Sequence, residues 1–126
     1  MEEKKQLDLR HVLGQSGEEL AFRYLVLNDY IILARNFRCR IGEIDLIAAK
    51  DGILSFFEVK TRLSTYAGTP SESVTFHKQQ KIRRVAEYYL MLNGLLENMP
   101  VLSFDVIEII IEEHRVKYFK HYEHCF

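Results

Sequence analysis

The sequence is poor in the residues that mark several specialised classes of protein. Its 126 residues include no tryptophan, two prolines and two cysteines. Cys39 and Cys125 have neither metal-binding nor redox spacing, which argues against a secreted scaffold held together by disulfides. The most apolar stretches, such as 107–111 with a glutamate inside it, are too short to cross a bilayer. We therefore expect a cytoplasmic protein that does not enter a membrane.

The chain also lacks an excess of charge of either sign. Seventeen Lys and Arg residues stand against 18 Asp and Glu residues, for a formal net charge of −1. No overall positive field attracts a polyanion, so any binding to nucleic acid must rest on local basic patches. The length and the 48% hydrophobic content instead predict one globular domain over residues 1–126.

Hydrophobic periodicity and turn residues predict an α/β fold. The first three strands should form an antiparallel meander, and the last strand should lie at an edge of the sheet. The predicted elements, in the order α-β-β-β-α-β-β, are a helix at 14–28, strands at 30–37, 43–49 and 53–60, a helix ending near 93–94, and strands at 102–111 and 116–122.

The hairpin between the second and third strands predicts a group of charged side chains. If residues 51–52 (Asp-Gly) form a two-residue turn, the register places Asp45 opposite Glu58, and Glu43 opposite Lys60. All four side chains then project from one face of the sheet. The other face carries nearly all apolar residues and should pack on a helix; on the second strand these are Ile44, Leu46 and Ala48.

The facing acids Asp45 and Glu58 need something to offset their repulsion. Like charges on opposed residues, whose Cβ atoms lie roughly 4.5–5.5 Å apart, destabilise a sheet. A protonated carboxyl, a nearby cation or a bound metal ion each relieve it. We favour Mg²⁺ or Mn²⁺, because two converging carboxylates are a common protein contribution to a Mg²⁺ site. Lys60 would then place an ammonium beside the ion, an arrangement suited to phosphodiester cleavage.

Six separated motifs follow one another along the chain, within a match to a known family that runs from about residue 13 to residue 111. They are Gly17-Glu18-x-x-Ala21, Asn36-x-Arg38, Gly42-Glu43-Ile44-Asp45-Leu46-Ile47, Glu58-Val59-Lys60-Thr61-Arg62, Gly68-x-Pro70 and Lys78-Gln79-x-Lys81-Ile82. This pattern closely resembles the YraN family, which is assigned to the PD-(D/E)XK nuclease superfamily and is related to Holliday-junction resolvases.

The resemblance implies a restriction-endonuclease-like fold with a central mixed five-stranded sheet flanked by helices. It also implies metal-dependent hydrolysis of phosphodiester bonds in DNA or structured nucleic acid, branched junctions included. Carried over by position, Asp45 and Glu58 would hold the metal, Glu18 would be a further acid at the metal, and Lys60 the catalytic lysine. One motif departs from the family: Ser103 stands where an arginine is usual before Phe104-Asp105, so that arginine's contact must be supplied elsewhere.

Basic side chains before and after the hairpin are candidates for phosphate contact. The residues assigned to nucleic-acid binding are Arg38, Arg62, Lys78, Gln79 and Lys81. A solubilising surface is the alternative explanation for such charges. Two acids also have structural alternatives: Glu18 can serve the helix dipole, and Glu43 can pair with Lys60 instead of binding metal. The five histidines have no metal spacing, and we expect them at the surface.

Three functions remain open at this point. The first is a Mg²⁺- or Mn²⁺-dependent endonuclease. The second is a non-catalytic module of the same fold that binds nucleic acid or a repair partner. The third is a protein-interaction unit that pairs through its exposed last strand, since an open strand edge invites augmentation. A homodimer is compatible with each of them.

Overall fold

The secondary structure follows the predicted order of elements throughout. The computed structural model describes residues 16–63 and 74–126. Its elements are α1 (Gly17–Leu27), β1 (Ile31–Arg38), β2 (Glu43–Lys50), β3 (Ile53–Leu63), α2 (Phe76–Leu92), β4 (Val101–Glu112) and β5 (Arg115–Tyr122). The predicted loop at 66–71, with Gly68 and Pro70 of one motif, lies outside the described residues, as do residues 14 and 15 of the first predicted helix.

The five strands form one mixed sheet in the order β1-β2-β3-β4-β5. The meander prediction is confirmed, because β1 pairs with β2 and β2 with β3, both antiparallel. β3 and β4 are parallel, and α2 lies between them in the chain. β5 returns antiparallel to β4 and is an edge strand, as predicted. None of the helices in the described parts of the chain is long and apolar enough to cross a membrane.

The two helices cover opposite faces of the sheet. Leu54 and Phe56 of β3 pack in a cluster with the apolar side of α2, whereas Phe57 packs in a second cluster with α1. Neighbouring residues of a strand point to opposite faces, so the clusters lie on the two sides. β3 and β4 run through the middle and contribute to both clusters.

The predicted hairpin turn and register are confirmed where β2 and β3 pair. Asp51 and Gly52 both have positive φ, 52° and 78°, as a tight hairpin turn requires. The observed pairs run from Lys50–Ile53 to Leu46–Phe57 in the predicted register. The ladder then stops, so the predicted pairs at Asp45 and Glu43 are not ladder pairs.

The face assigned to Ile44 was wrong. Ile44 packs in the α2 cluster, although Leu46 and Ala48 pack in the α1 cluster as predicted. Simple alternation would place all three on one side, so the alternation breaks between Ile44 and Leu46. The neighbouring strand β1 is irregular in the same stretch, with Asn36 at a φ of 51°. The break coincides with the point where β2 leaves β3, and it determines where Asp45 lies.

A chain of buried polar side chains joins α1, β4 and β5 on the α1 side. The Tyr24 hydroxyl lies 2.9 Å from His121 Nδ1, and His121 Nε2 lies 2.6 Å from Asp105 Oδ2. Asp105 also accepts from the Ser103 hydroxyl and from the His124 backbone N–H. The prediction of surface histidines was therefore wrong for His121, whose side chain is 2% exposed. Asp105 therefore has hydrogen-bond partners, although Ser103 stands where the motif usually has an arginine.

Candidate functional site

The candidate site lies where β2 and β3 separate. Asp45 is one residue beyond the last ladder pair, and Glu58 is its predicted neighbour on β3. Both residues are buried, at 9% and 7% exposure. Asp45 Oδ2 accepts a 2.8 Å hydrogen bond from the Val59 backbone N–H. The Asp45 side chain therefore bridges the two strands at the point where their backbone ladder has ended.

The surroundings of Asp45 oppose its ionisation. Burial, followed by the charges of Glu58, Glu18 and Glu43, raises the pKa of Asp45 to about 6, although the hydrogen bond from Val59 works in the opposite direction. A carboxyl with a strongly raised pKa among other acids is typical of functional sites. A cation bound beside Asp45 would stabilise the ionised form and remove this penalty.

Gly17 brings Glu18 into the acidic group. The start of α1 lies so close to β3 that a Cβ atom on Gly17 would be 1.7 Å from Thr61 Oγ1 and 2.9 Å from Thr61 Cβ. Only glycine fits this approach without a shift of the backbone. Because α1 starts against β3, Glu18 lies near enough to Asp45 to raise its pKa. Glu18 also stands in the first turn of α1, where the helix dipole favours an acid.

Glu58 has a cationic partner within the chain. Lys78 Nζ lies 2.5 Å from Glu58 Oε1, and the Lys78 side chain is 45% exposed while that of Glu58 is 8% exposed. Lys78 lies in the first turn of α2, where its backbone N–H donates to the Thr75 hydroxyl. The cap fixes the backbone of Lys78, and the side chain crosses from α2 to the sheet. This contact joins residues 20 positions apart.

Lys60 lies beside a second buried acid, Glu108 on β4. The two are Cα partners in the parallel β3–β4 ladder, and Lys60 lowers the pKa of Glu108, although burial is the larger effect and raises it overall. Glu108 Oε1 accepts from the Tyr122 hydroxyl at 3.3 Å, and Oε2 lies 3.8 Å from Arg62 Nη2. Among the described residues, Glu108 Oε2 is the one buried side-chain polar atom with no hydrogen-bond partner.

The remaining candidates for nucleic-acid binding differ in the contacts that their side chains make within the protein. Arg38 Nε lies 2.9 Å from Glu43 Oε2, so Glu43 pairs with β1, and the alternative of a Glu43–Lys60 pair is not observed. The Gln79 side-chain amide donates to the Val74 backbone carbonyl at 3.0 Å. Lys81 is exposed on α2. Arg38 is thus held by Glu43, Lys81 has an exposed side chain on α2, and Gln79 supports the start of α2.

The donor set fits a hard divalent ion that takes few protein ligands. Across residues 16–63 and 74–126 there is no group of three or more His, Cys, Asp or Glu side chains close enough to hold a metal ion. Mg²⁺ commonly uses one or two carboxylates and completes its shell with water and substrate phosphate. Asp45 and Glu58 are the two buried carboxyls that could supply such ligands, and Glu18 is near enough to raise the pKa of Asp45.

The chain belongs to the uncharacterised protein family UPF0102, whose family model matches residues 17–109. A UPF0102 protein of Clostridium tetani is 47% identical over 106 residues, which cover 84% of this chain and 85% of that protein. One of Caldicellulosiruptor bescii is 48% identical over 106 residues, covering 84% and 87%. One of Alkaliphilus oremlandii is 46% identical over 114 residues, covering 90% and 97%. These matches confirm the YraN-like family, and the matched segment contains Glu18, Asp45, Glu58 and Lys60.

The sequence indicates the central acids of the site but not their partners. It predicts phosphate contact for Lys78 and gives no signal for the Lys78–Glu58 contact. Glu108 was not singled out, although a single acid inside the apolar run 106–111 is a usable signal. A charged residue at a core-facing strand position needs partners, and here Arg62 and Tyr122 come from both neighbouring strands.

Proposed function

We propose that the protein is a divalent-metal-dependent endonuclease of restriction-endonuclease-like fold that acts on DNA or another structured nucleic acid. One observation carries the proposal: Asp45 and Glu58, both nine-tenths buried, meet where two strands separate, and the pKa of Asp45 is raised to about 6. Buried acids that repel each other in a folded chain are typical of a site that binds a cation. The family resemblance of the motifs supports the same chemistry.

Each residue has a distinct role in this reaction. Asp45 and Glu58 would hold Mg²⁺ or Mn²⁺, and Glu18 would orient a water beside it. Such an ion, when bound, would supply activation of the water and neutralisation of charge on the phosphate. Lys60 stabilises the same negative charge in the transition state. Arg38, Arg62, Lys78 and Lys81 bind the flanking phosphates, which fixes the position of the strand without reading its sequence.

The test is cleavage of DNA by the purified protein with Mg²⁺, with Mn²⁺ and with EDTA. We expect cleavage only with a divalent ion, and we expect Asp45→Asn, Glu58→Gln and Lys60→Met each to reduce it by about 100-fold or more. Lys117→Met on β5 is the control: it removes one positive charge, from the exposed pair with Glu112, and should retain the rate. Cleavage at the wild-type rate by the triple variant would disprove the proposal.

A non-catalytic nucleic-acid-binding module is the second candidate. The Lys78–Glu58 contact favours it, because an internal ammonium already neutralises one of the two acids. Such a module would bind DNA in a salt-dependent manner, through released counterions, and would show no turnover with any metal. Measuring binding of the Lys60→Met variant beside cleavage by the wild type separates the two candidates.

A further inference from the structure

We propose that Lys78 is an internal counter-ion, which a divalent metal ion displaces from Glu58 and thereby frees to bind a phosphate of the nucleic acid. This inference rests on the proposed function, because it concerns how the same site is regulated. It assigns Lys78 two positions: on Glu58 without metal, and on the substrate with metal.

The ammonium and the metal compete for one carboxylate. Lys78 Nζ contacts Glu58 Oε1 at 2.5 Å, and Glu58 is the acid that would bind the metal together with Asp45. Asp45 already uses Oδ2 to accept from Val59, so the site has few other oxygens to offer. A cation that enters between Asp45 and Glu58 must therefore share Glu58 with the ammonium or expel it.

Lys78 is able to leave at little cost. Its backbone is fixed by the Thr75 cap, but nearly half of its side chain is exposed and its stem is flexible. Because solvent screens the exposed half of the pair, loss of the Lys78 ammonium costs less than loss of a partner from a fully buried pair. Glu58, by contrast, is buried and cannot turn to water in exchange. The exchange consequently replaces one cation by another at Glu58 and releases an ammonium at the start of α2.

The Lys78 ammonium that leaves Glu58 can bind a phosphate at the start of α2. Lys78 and Lys81 are three residues apart on α2, so their side chains lie on one side of the helix. An ammonium that leaves Glu58 joins Lys81 as a phosphate-binding group. Linkage then requires that metal tightens the binding of nucleic acid and that nucleic acid tightens the binding of metal by the same factor.

The first experiment measures Mn²⁺ binding by calorimetry in the wild type and in Lys78→Met, with Lys78→Gln as a second variant. We expect both variants to bind Mn²⁺ about fivefold more tightly, because no internal cation competes. Lys117→Met on β5 is the matched control: it removes a lysine outside the site, and its metal affinity should equal that of the wild type. Unchanged or weaker binding in both Lys78 variants, or equal tightening in Lys117→Met, would overturn the inference.

The second experiment measures binding of a fluorescein-labelled DNA hairpin in the Lys60→Met background, with Mn²⁺ and with EDTA. Mn²⁺ should tighten binding when Lys78 is present, and it should tighten binding less when Lys78 is methionine. An equal gain in both proteins contradicts the exchange. If no variant binds Mn²⁺, the proposed function falls together with the inference. If the Lys78 variants bind Mn²⁺ more tightly but the wild type cleaves nothing, only the nuclease proposal falls.

Discussion

Two groups of buried polar and charged side chains lie in different parts of the same sheet, and they are built differently. On the α1 side, Asp105 is 1% exposed and is bonded by His121, by Ser103 and by a backbone N–H. Where β2 and β3 separate, Asp45 and Glu58 are buried near each other, and on β4 Glu108 keeps one oxygen without a hydrogen bond among the described residues.

The difference in hydrogen bonding indicates that one group stabilises the fold and the other serves a function. A buried polar network whose members all have partners stabilises one arrangement of the elements that it joins. A group with mutual repulsion and an unpaired acceptor costs stability, and proteins retain such groups where a ligand or a reaction requires them. Function is therefore better sought at Asp45 and Glu58 than at the His121–Asp105 contact, although the latter superficially resembles a catalytic pair.

The largest effect should come from breaking the satisfied network. His121→Phe keeps an aromatic ring at the position but leaves the buried Asp105 without its main partner. Removal of one member of a buried pair costs about 3–5 kcal/mol, and we expect a loss of that size in the free energy of unfolding. Urea denaturation measures it, with His77→Phe on the exposed side of α2 as control. A loss no larger than that of the control would remove the distinction between the two groups.

The Asp45 carboxyl should make stability depend on pH in the opposite sense to a carboxylate whose pKa is lowered by folding. The pKa of Asp45 is raised from 3.8 to about 6, so the folded protein holds this proton more tightly than the unfolded chain. The stabilisation is complete below pH 3.8 and is lost as the pH rises through 6, by about 3 kcal/mol in total.

This dependence is measured in EDTA, to keep metal from the acids. Between pH 4 and pH 7 the stability of the wild type should fall relative to that of Asp45→Asn, which cannot titrate at this position. A difference between the two proteins that stays constant with pH would mean that burial and the neighbouring acids do not raise the pKa of Asp45.

Local signals in the sequence predicted the elements better than the contacts between them. The order of elements and the turn at 51–52 follow from periodicity and from an Asp-Gly pair, which act over a few residues. The displacement of Ile44 was not predictable in this way, because a break in alternation has no signal of its own. His121 is buried because β5 pairs with β4 and brings it beside Asp105.

The central acids of the candidate site were predictable because one hairpin brings them together. Asp45 and Glu58 are 13 positions apart on adjacent strands, and the turn between them fixes the register. Lys78 lies on α2, which connects the parallel strands β3 and β4, and Glu108 lies on β4. No local sequence pattern predicts which side chains these residues contact. The long-range contacts of a predicted site therefore follow from the tertiary structure and not from local sequence patterns.

The smallest effect should come from Glu108. Burial raises its pKa despite the opposing effects of Tyr122, Arg62 and Lys60, so the charged form is destabilised in the folded protein. Glu108→Gln removes the charge and keeps the acceptor for Tyr122, and we expect a gain in the free energy of unfolding at pH 7 that is smaller than the Asp45 effect. The gain should shrink in acid, where Glu108 itself becomes protonated. Glu97→Gln at an exposed position is the control. A loss of stability in Glu108→Gln would mean that attraction to Arg62 and Lys60 outweighs burial, and Glu108 would then belong with the satisfied group instead of the functional one.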